Sequence, residues 1–259
     1  MSGTGGVALR TERLSKSWGA LKANDGVTFA LERGARHALI GPNGAGKTTL
    51  FNLLSGHQTP DAGEIRLRGQ AIQGRPPHRI AALGLSRTFQ SIKLFGHMTA
   101  LENVMVGRHV RSRAGMLAGM LRLPATRREE REIERCALEA LDLLGAAELA
   151  PREAGSLSYG QQRAVELARA LAAEPELLLL DEPAAGLNIR ETAELTAQIG
   201  RIRDRGVTVL VVEHDMSLVM GISDEVVVLS YGEKIADADP RTVQRDPQVV
   251  RVYLGDEEC

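Results

Sequence analysis

The sequence predicts an α/β fold in three parts: a mainly parallel sheet flanked by helices, an antiparallel β subdomain ahead of it, and a helical subdomain inserted between two core strands. Three observations predict it. Short apolar runs, "HALIG" (37–41), "LLLL" (177–180), "VTVLVV" (207–212) and "EVVVLS" (225–230), are separated by helical segments, the pattern of a parallel sheet. The opening stretches "VALRTERL", "VTFALERG" and "GEIRLRG" are broken by glycine turns. Alternation such as "IRLR" suits a half-exposed antiparallel strand. From about Ser91 to Ala172 the character turns helical, with few β-branched runs.

The elements follow in order. "HALIG" reads as a buried strand leading into the helix "KTTLFNLLSG". Within the helical region, "RREEREIERCALEALDLLG" places Ile133, Ala137, Leu141 and Leu144 on one stripe and a glycine stop at Gly145.

Between that strand and helix, "GPNGAGKT" fits G-x-x-x-x-G-K-[ST]. Gly41, Gly44 and Gly46 are free to take backbone angles closed to other residues, so successive N–H groups turn toward phosphate oxygens. The helix starting near Lys47 adds its positive end. Lys47 supplies a charge for β- and γ-phosphates, and the Thr48 hydroxyl is a ligand for Mg²⁺. In this context the loop predicts binding of a nucleoside triphosphate and a P-loop NTPase core.

"LLLLDEP" is a buried strand with Asp181 at its carboxyl end, where ligands sit in parallel sheets. Asp181 can hold Mg²⁺ through water, while Glu182 points elsewhere and can accept a proton from an attacking water. Alone, the pair reads rather as a solvated acidic turn; beside the glycine loop it reads as catalytic. "LSYGQQR" opens a helix, so Ser158 and the Gly160 backbone form a second anion-binding corner. A plain serine N-cap is the competing reading. A corner so far from the first makes sense if it serves the nucleotide of another subunit.

Charge and composition bound the rest. Lys plus Arg number 32 against 33 Asp plus Glu, a net charge of −1, which gives no reason to expect nucleic-acid binding. Cys136 and Cys259 lie far apart and near no histidine cluster, so they read as free thiols. No apolar run approaches the roughly 20 residues that span a bilayer, and "MSGTGGVALRTE" lacks a signal-peptide pattern. The expectation is a soluble cytoplasmic protein that reaches a membrane only by docking.

Taken in order, these motifs resemble the ATP-binding subunit of an ABC transporter, over essentially the whole chain. The resemblance implies one ABC ATP-binding domain, residues 7–254, with a RecA-like core and a helical subdomain at about 91–172. It implies that Gly41, Pro42, Asn43, Gly44, Ala45, Gly46, Lys47, Thr48 and Thr49 form the Walker A loop, and that Gln161 belongs to the signature beside Ser158 and Gly160. Gln90, in "RTFQSIKLF", resembles the glutamine that reaches metal and attacking water at the joint between core and helical lobe. Asp181 resembles the Walker B aspartate, Glu182 the catalytic glutamate, and His214 the switch histidine on the γ-phosphate. Trp18 falls where the family stacks an aromatic ring on adenine, a core tryptophan being the alternative. Tyr159 and Asn188 depart from the commonest pattern, which has glycine and aspartate there, and leave cross-subunit signalling open.

The stretches "RTFQSIKLFGHMTALENVMVGRH", "DEPAAGLN" and "HDMSLVMGISDEVVVLSYGEKIADADP", with the tail "VVRVYLG", resemble LivG-type subunits of branched-chain amino acid importers. That implies ATP and Mg²⁺, a second ATP-binding subunit (related or identical), two permease subunits, a periplasmic binding protein acting indirectly, and a peripheral place on the cytoplasmic face of the inner membrane. A lipid or lipopolysaccharide transport ATPase, or an importer of amides or aromatic acids, stays open as an alternative. So does the "GRHVRSRAGMLAGMLRLPATRREE" stretch, as a permease or headgroup contact or as lobe packing.

Overall fold

The computed structural model describes residues 6–111 and 124–254. Two sheets organise the chain. Strands β1 (Val7–Trp18), β2 (Leu21–Glu32), β4 (Ala62–Leu67) and β5 (Gln70–Ala71) form an antiparallel sheet in the order β2-β1-β4-β5. Strands β3 (Arg36–Ile40), β6 (Leu85–Arg87), β7 (Leu177–Asp181), β8 (Thr208–Val212), β9 (Glu225–Ser230) and β10 (Glu233–Ala238) form the second, in the order β10-β9-β3-β8-β7-β6. It is parallel except for the β9–β10 pair.

Burial on both faces explains why the core strands read as continuous apolar runs. Every residue of β7 and β8 is buried, and alternate side chains feed opposite layers. Leu39, Leu177, Leu179, Leu210, Val212, Val227 and Leu229 face the antiparallel sheet and α1 (Lys47–Leu54). On the other face, Leu178, Leu180, Val209 and Val211 join a cluster with α3 (Ala100–Arg108), α4 (Pro124–Leu143), α5 (Tyr159–Ala172) and α6 (Ile189–Asp204). Ala38, Ile40, Val226 and Val228 of the same face meet Val219, Val243 and Val249. Those three valines come from α7 (Met216–Ile222), α8 (Pro240–Arg245) and α9 (Pro247–Leu254). A short α2 (Pro77–Ala82) precedes β6.

Helices α3, α4 and α5 all run between β6 and β7, the stretch in which the sequence places the helical lobe. In α4 the expected stripe is inward: Ala137, Leu141 and Leu144 are buried and Ile133 is half-buried. Gly145, with φ +68°, closes the helix. Its N–H donates to Asp142 O and that of Ala146 to Leu141 O, so the last carbonyls are satisfied by a Schellman turn. The basic start of the 107–130 stretch has a structural use. Arg108 donates to Ala172 O, and Arg111 to Ala173 O and Glu174 O, satisfying carbonyls at the end of α5. Its apolar part, 115–123, and Cys259 lie outside the described residues; Cys136 is a free, buried thiol.

A Cβ at Gly145 meets nothing nearer than Arg201 Nη2 at 3.8 Å, so Gly145→Ala adds backbone strain without a clash. The expected loss is about 1 kcal/mol, read as a lower urea midpoint at unchanged m-value.

Candidate functional site

The glycine loop links the end of β3 to α1 and is shaped by what surrounds it. Gly41 (φ +151°) and Gly46 (φ +97°) lie in backbone regions that favour glycine. A Cβ on them would stand 2.2 Å from Leu229 O and 2.1 Å from Ala23 O. No side chain fits at either. Lys47 at the helix start folds over the loop, its Nζ donating to Gly41 O (2.6 Å) and Pro42 O (3.0 Å). Burial lowers the Lys47 pKa, and the charge of Glu182 opposes that shift. Thr48 and Asn43 are exposed, and Ala45 is buried against the core.

At the end of β7 two adjacent carboxylates face different partners, as the sequence reading requires. Asp181 Oδ2 accepts from Arg87 Nη2 at 2.9 Å. Glu182 takes φ +44°, unusual for a side-chain-bearing residue, and its Oε2 accepts from Gln90 Nε2 at 2.7 Å. Its N–H donates to Val212 O, which ties the turn to β8. His214, just beyond β8, is exposed, its N–H donating to the Glu213 carboxylate.

Trp18 ends β1 and is 53% exposed, with Lys16 Nζ 5.2 Å from its ring centroid. That removes the core-tryptophan alternative and leaves a ring face available for stacking. Asn24, further along the same hairpin, donates to Gly46 O.

The signature corner stands apart. Ser158 is the N-cap of α5: its Oγ accepts from Gln161 N–H while Gln161 Oε1 accepts from Ser158 N–H, a capping box. Ser158, Gly160 and Gln161 line a cleft of about 300 Å³ with Asn188 and Glu191, and no residue of 41–49 borders it. Both departures from the family pattern have local explanations. Asn188 caps α6, its side chain accepting from Glu191 N–H at 3.0 Å, and asparagine caps as well as aspartate. Tyr159 packs its ring on Gly186, where a Cβ would come within 3.2 Å of it.

Sequence reasoning missed four functional neighbours. Arg87 holds Asp181, and also donates to Asn52 Oδ1 (2.7 Å) and Ser55 Oγ (3.0 Å) of the helix that follows the glycine loop. Buried Glu213 accepts from Ala184 N–H as well as from His214 N–H, and burial pushes its carboxyl pKa up. Arg163 is 1% exposed. Tyr253 on α9 has its hydroxyl pKa raised by burial, a shift that the nearby Gly41 backbone opposes.

Comparison with known proteins identifies the family. The family pattern described as "ABC transporter" matches residues 24–185, and one described as "Branched-chain amino acid ATP-binding cassette transporter" matches 233–259. The chain is 47% identical to the high-affinity branched-chain amino acid transport ATP-binding protein BraF of Pseudomonas aeruginosa, over 96% of this chain and 98% of that one. It is 43% identical to LivG of Escherichia coli, a protein of the same description, with the same shares covered. A solved ATP-binding cassette of an ABC transporter, in its ADP conformation, superposes with TM-score 0.84 at 32% identity, covering 97% of this chain and all of that one.

Because Trp18 is exposed, Trp18→Ala should leave the unfolding midpoint unchanged within experimental scatter. It should weaken binding of a fluorescent ATP analogue by about 1–3 kcal/mol. Undiminished affinity would exclude the stacking role.

Proposed function

The chain belongs to the ABC transporter ATP-binding family, and from that premise we propose that it is the ATP-hydrolysing subunit of an importer of branched-chain or related amino acids. Supporting the cargo class are the names of relatives at 43–47% identity over nearly the whole chain and the C-terminal match at 233–259. Among the described residues no helix is long and apolar enough to cross a membrane. Membership of the family supports work at the cytoplasmic face of a membrane, docked on two permease subunits. We take residues 7–254 as one ATPase unit whose helical part, about 91–172, meets the permease.

The observation that carries the chemistry is the Gln90–Glu182 contact, 2.7 Å, beside the lysine-capped glycine loop. ATP phosphates would enter the ring of N–H groups of Gly41–Thr49, and Lys47 would exchange the two carbonyls it now holds for phosphate oxygens. Trp18 would hold the adenine. Gln90 fixes the direction of the Glu182 carboxylate, which takes the proton of the attacking water. His214, at the neighbouring strand end, would contact the γ-phosphate. The Ser158–Gly160–Gln161 corner of a second ATP-binding subunit would close over the nucleotide, exclude water and complete the electrostatic clamp on the transferring phosphoryl group.

Mg²⁺ fits the donors present. Thr48, the Asp181 carboxylate and the Gln90 amide oxygen are hard oxygen ligands, and no group of three or more His, Cys, Asp or Glu side chains suited to a metal occurs among the described residues. That pattern suits a cation which takes one or two carboxylates and fills its shell with phosphate and water. When bound, it would offset the charge of the phosphate oxygens.

In the assembled complex, Glu182→Gln should retain ATP binding and lose turnover by about a hundredfold or more. Uptake of radiolabelled leucine should collapse with it. Native-like hydrolysis in that variant would remove Glu182 as the base; hydrolysis lost with leucine uptake intact would reject leucine as the main cargo.

A further inference from the structure

A buried ion pair sits where the signature helix meets the loop that carries Gln90. Arg163 and Glu166, neighbours along α5, are each 1% exposed, with Arg163 Nη1 2.8 Å from Glu166 Oε2. As a source of stability such a pair is a poor one, since apolar side chains of the same volume do as well or better. The guanidinium does something here that no apolar group can. It donates to Phe89 O at 3.1 Å, to Gln90 O at 3.1 Å and to Tyr159 Oη at 3.2 Å. Arg169, further along the helix, donates to Lys93 O. The backbone on both sides of Gln90 is therefore strapped to α5.

These acceptors belong to two different functional ends. Tyr159 lies between Ser158 and Gly160 in the corner that would serve another subunit's nucleotide. The Gln90 side chain holds Glu182, which would serve this subunit's own. We infer that Arg163 is a positioning residue that couples the Ser158 corner to the Gln90–Glu182 pair. This inference rests on the function proposed above. When closure displaces the start of α5, the carbonyls of residues 89 and 90 move with it, because the guanidinium that donates the linking hydrogen bonds is itself buried and fixed in direction. The planar fork is what makes the link, as it reaches separate acceptors in fixed directions; a lysine is a point charge and holds one at a time.

The test uses the assembled complex, with Glu182→Gln as reference. Arg163→Lys keeps a charge opposite Glu166, and Arg163→Met with Glu166→Met removes both charges of the pair, while Arg169, 3.9 Å from Glu166, keeps its bond to Lys93 O. In both variants kcat should fall about tenfold, a coupling within the usual range. KM for ATP should stay within about twofold, because the Arg163 guanidinium bonds to no residue of the glycine loop. The Hill coefficient for ATP should fall toward 1. Tyr159→Phe should lower kcat less and add nothing in the Arg163→Lys background. A double-methionine variant that melts like the native chain and hydrolyses with native kcat and cooperativity would overturn the coupling, provided Glu182→Gln abolishes turnover. Additive losses at Tyr159 and Arg163 would overturn it too. If Glu182→Gln hydrolyses normally, the site reading itself falls, and the coupling with it.

Discussion

Two backbone carbonyls set the shape of this molecule. Leu229 O from β9 and Ala23 O from β2 press on the glycine loop from opposite sheets, at Gly41 and Gly46, closer than any Cβ could stand. The loop is thus the seam along which the antiparallel sheet docks on the parallel one. The N–H of Asp25 donates to Gly232 O, and that of Gly232 to Ala45 O, so hairpin, loop and the β9–β10 turn form one hydrogen-bonded unit. A phosphate-binding surface built as a structural seam is in position before any ligand arrives, and little ordering remains to be done on binding.

Local chemistry was legible in the sequence; long-range polar partnerships were not. The glycine loop, the acidic strand end and the glycine stop of α4 are written in neighbouring residues, because backbone angles, strand termini and helix caps are local matters. Asp181 could be found for the same reason. Its partner Arg87 could not, being on another strand and separated by most of the helical lobe. Arg163 fell within "GQQRAVELARALAAEP", where an arginine among polar and apolar residues reads as a solvated face. Arginine is seldom fully buried unless paired, and its acceptors Phe89 and Gln90 lie far back along the chain. Glu213, next to a histidine that drew attention, was hidden because nothing local marks a carboxylate as buried. Trp18 went the other way: its exposure was settled only by where the first hairpin ends.

The joint between sheet and lobe is electrostatically unusual. Arg87 Nε, Thr88 Oγ1, Arg163 Nε and Glu166 Oε1 are buried there without a hydrogen-bond partner. Arg87 also lies near the rings of Phe51 and Phe89, its guanidinium carbon 5.6 and 5.3 Å from their centroids. Interiors normally satisfy such groups. Burial keeps the Glu166 carboxyl pKa raised despite its arginine neighbours.

The capping box at Ser158 has a consequence for genetics. The same hydroxyl that would face a phosphate already accepts the Gln161 N–H, and losing a cap of this kind costs about 1 kcal/mol. A screen for lost uptake would therefore recover Ser158 alleles for two unlike reasons, a weakened helix and a missing anion contact. Growth temperature separates them: the first defect recedes in the cold, the second does not. Threonine and aspartate at this position would both preserve the cap while differing in charge toward an anion, so the two kinds of selection acting on one residue can be told apart by which of them the cell tolerates.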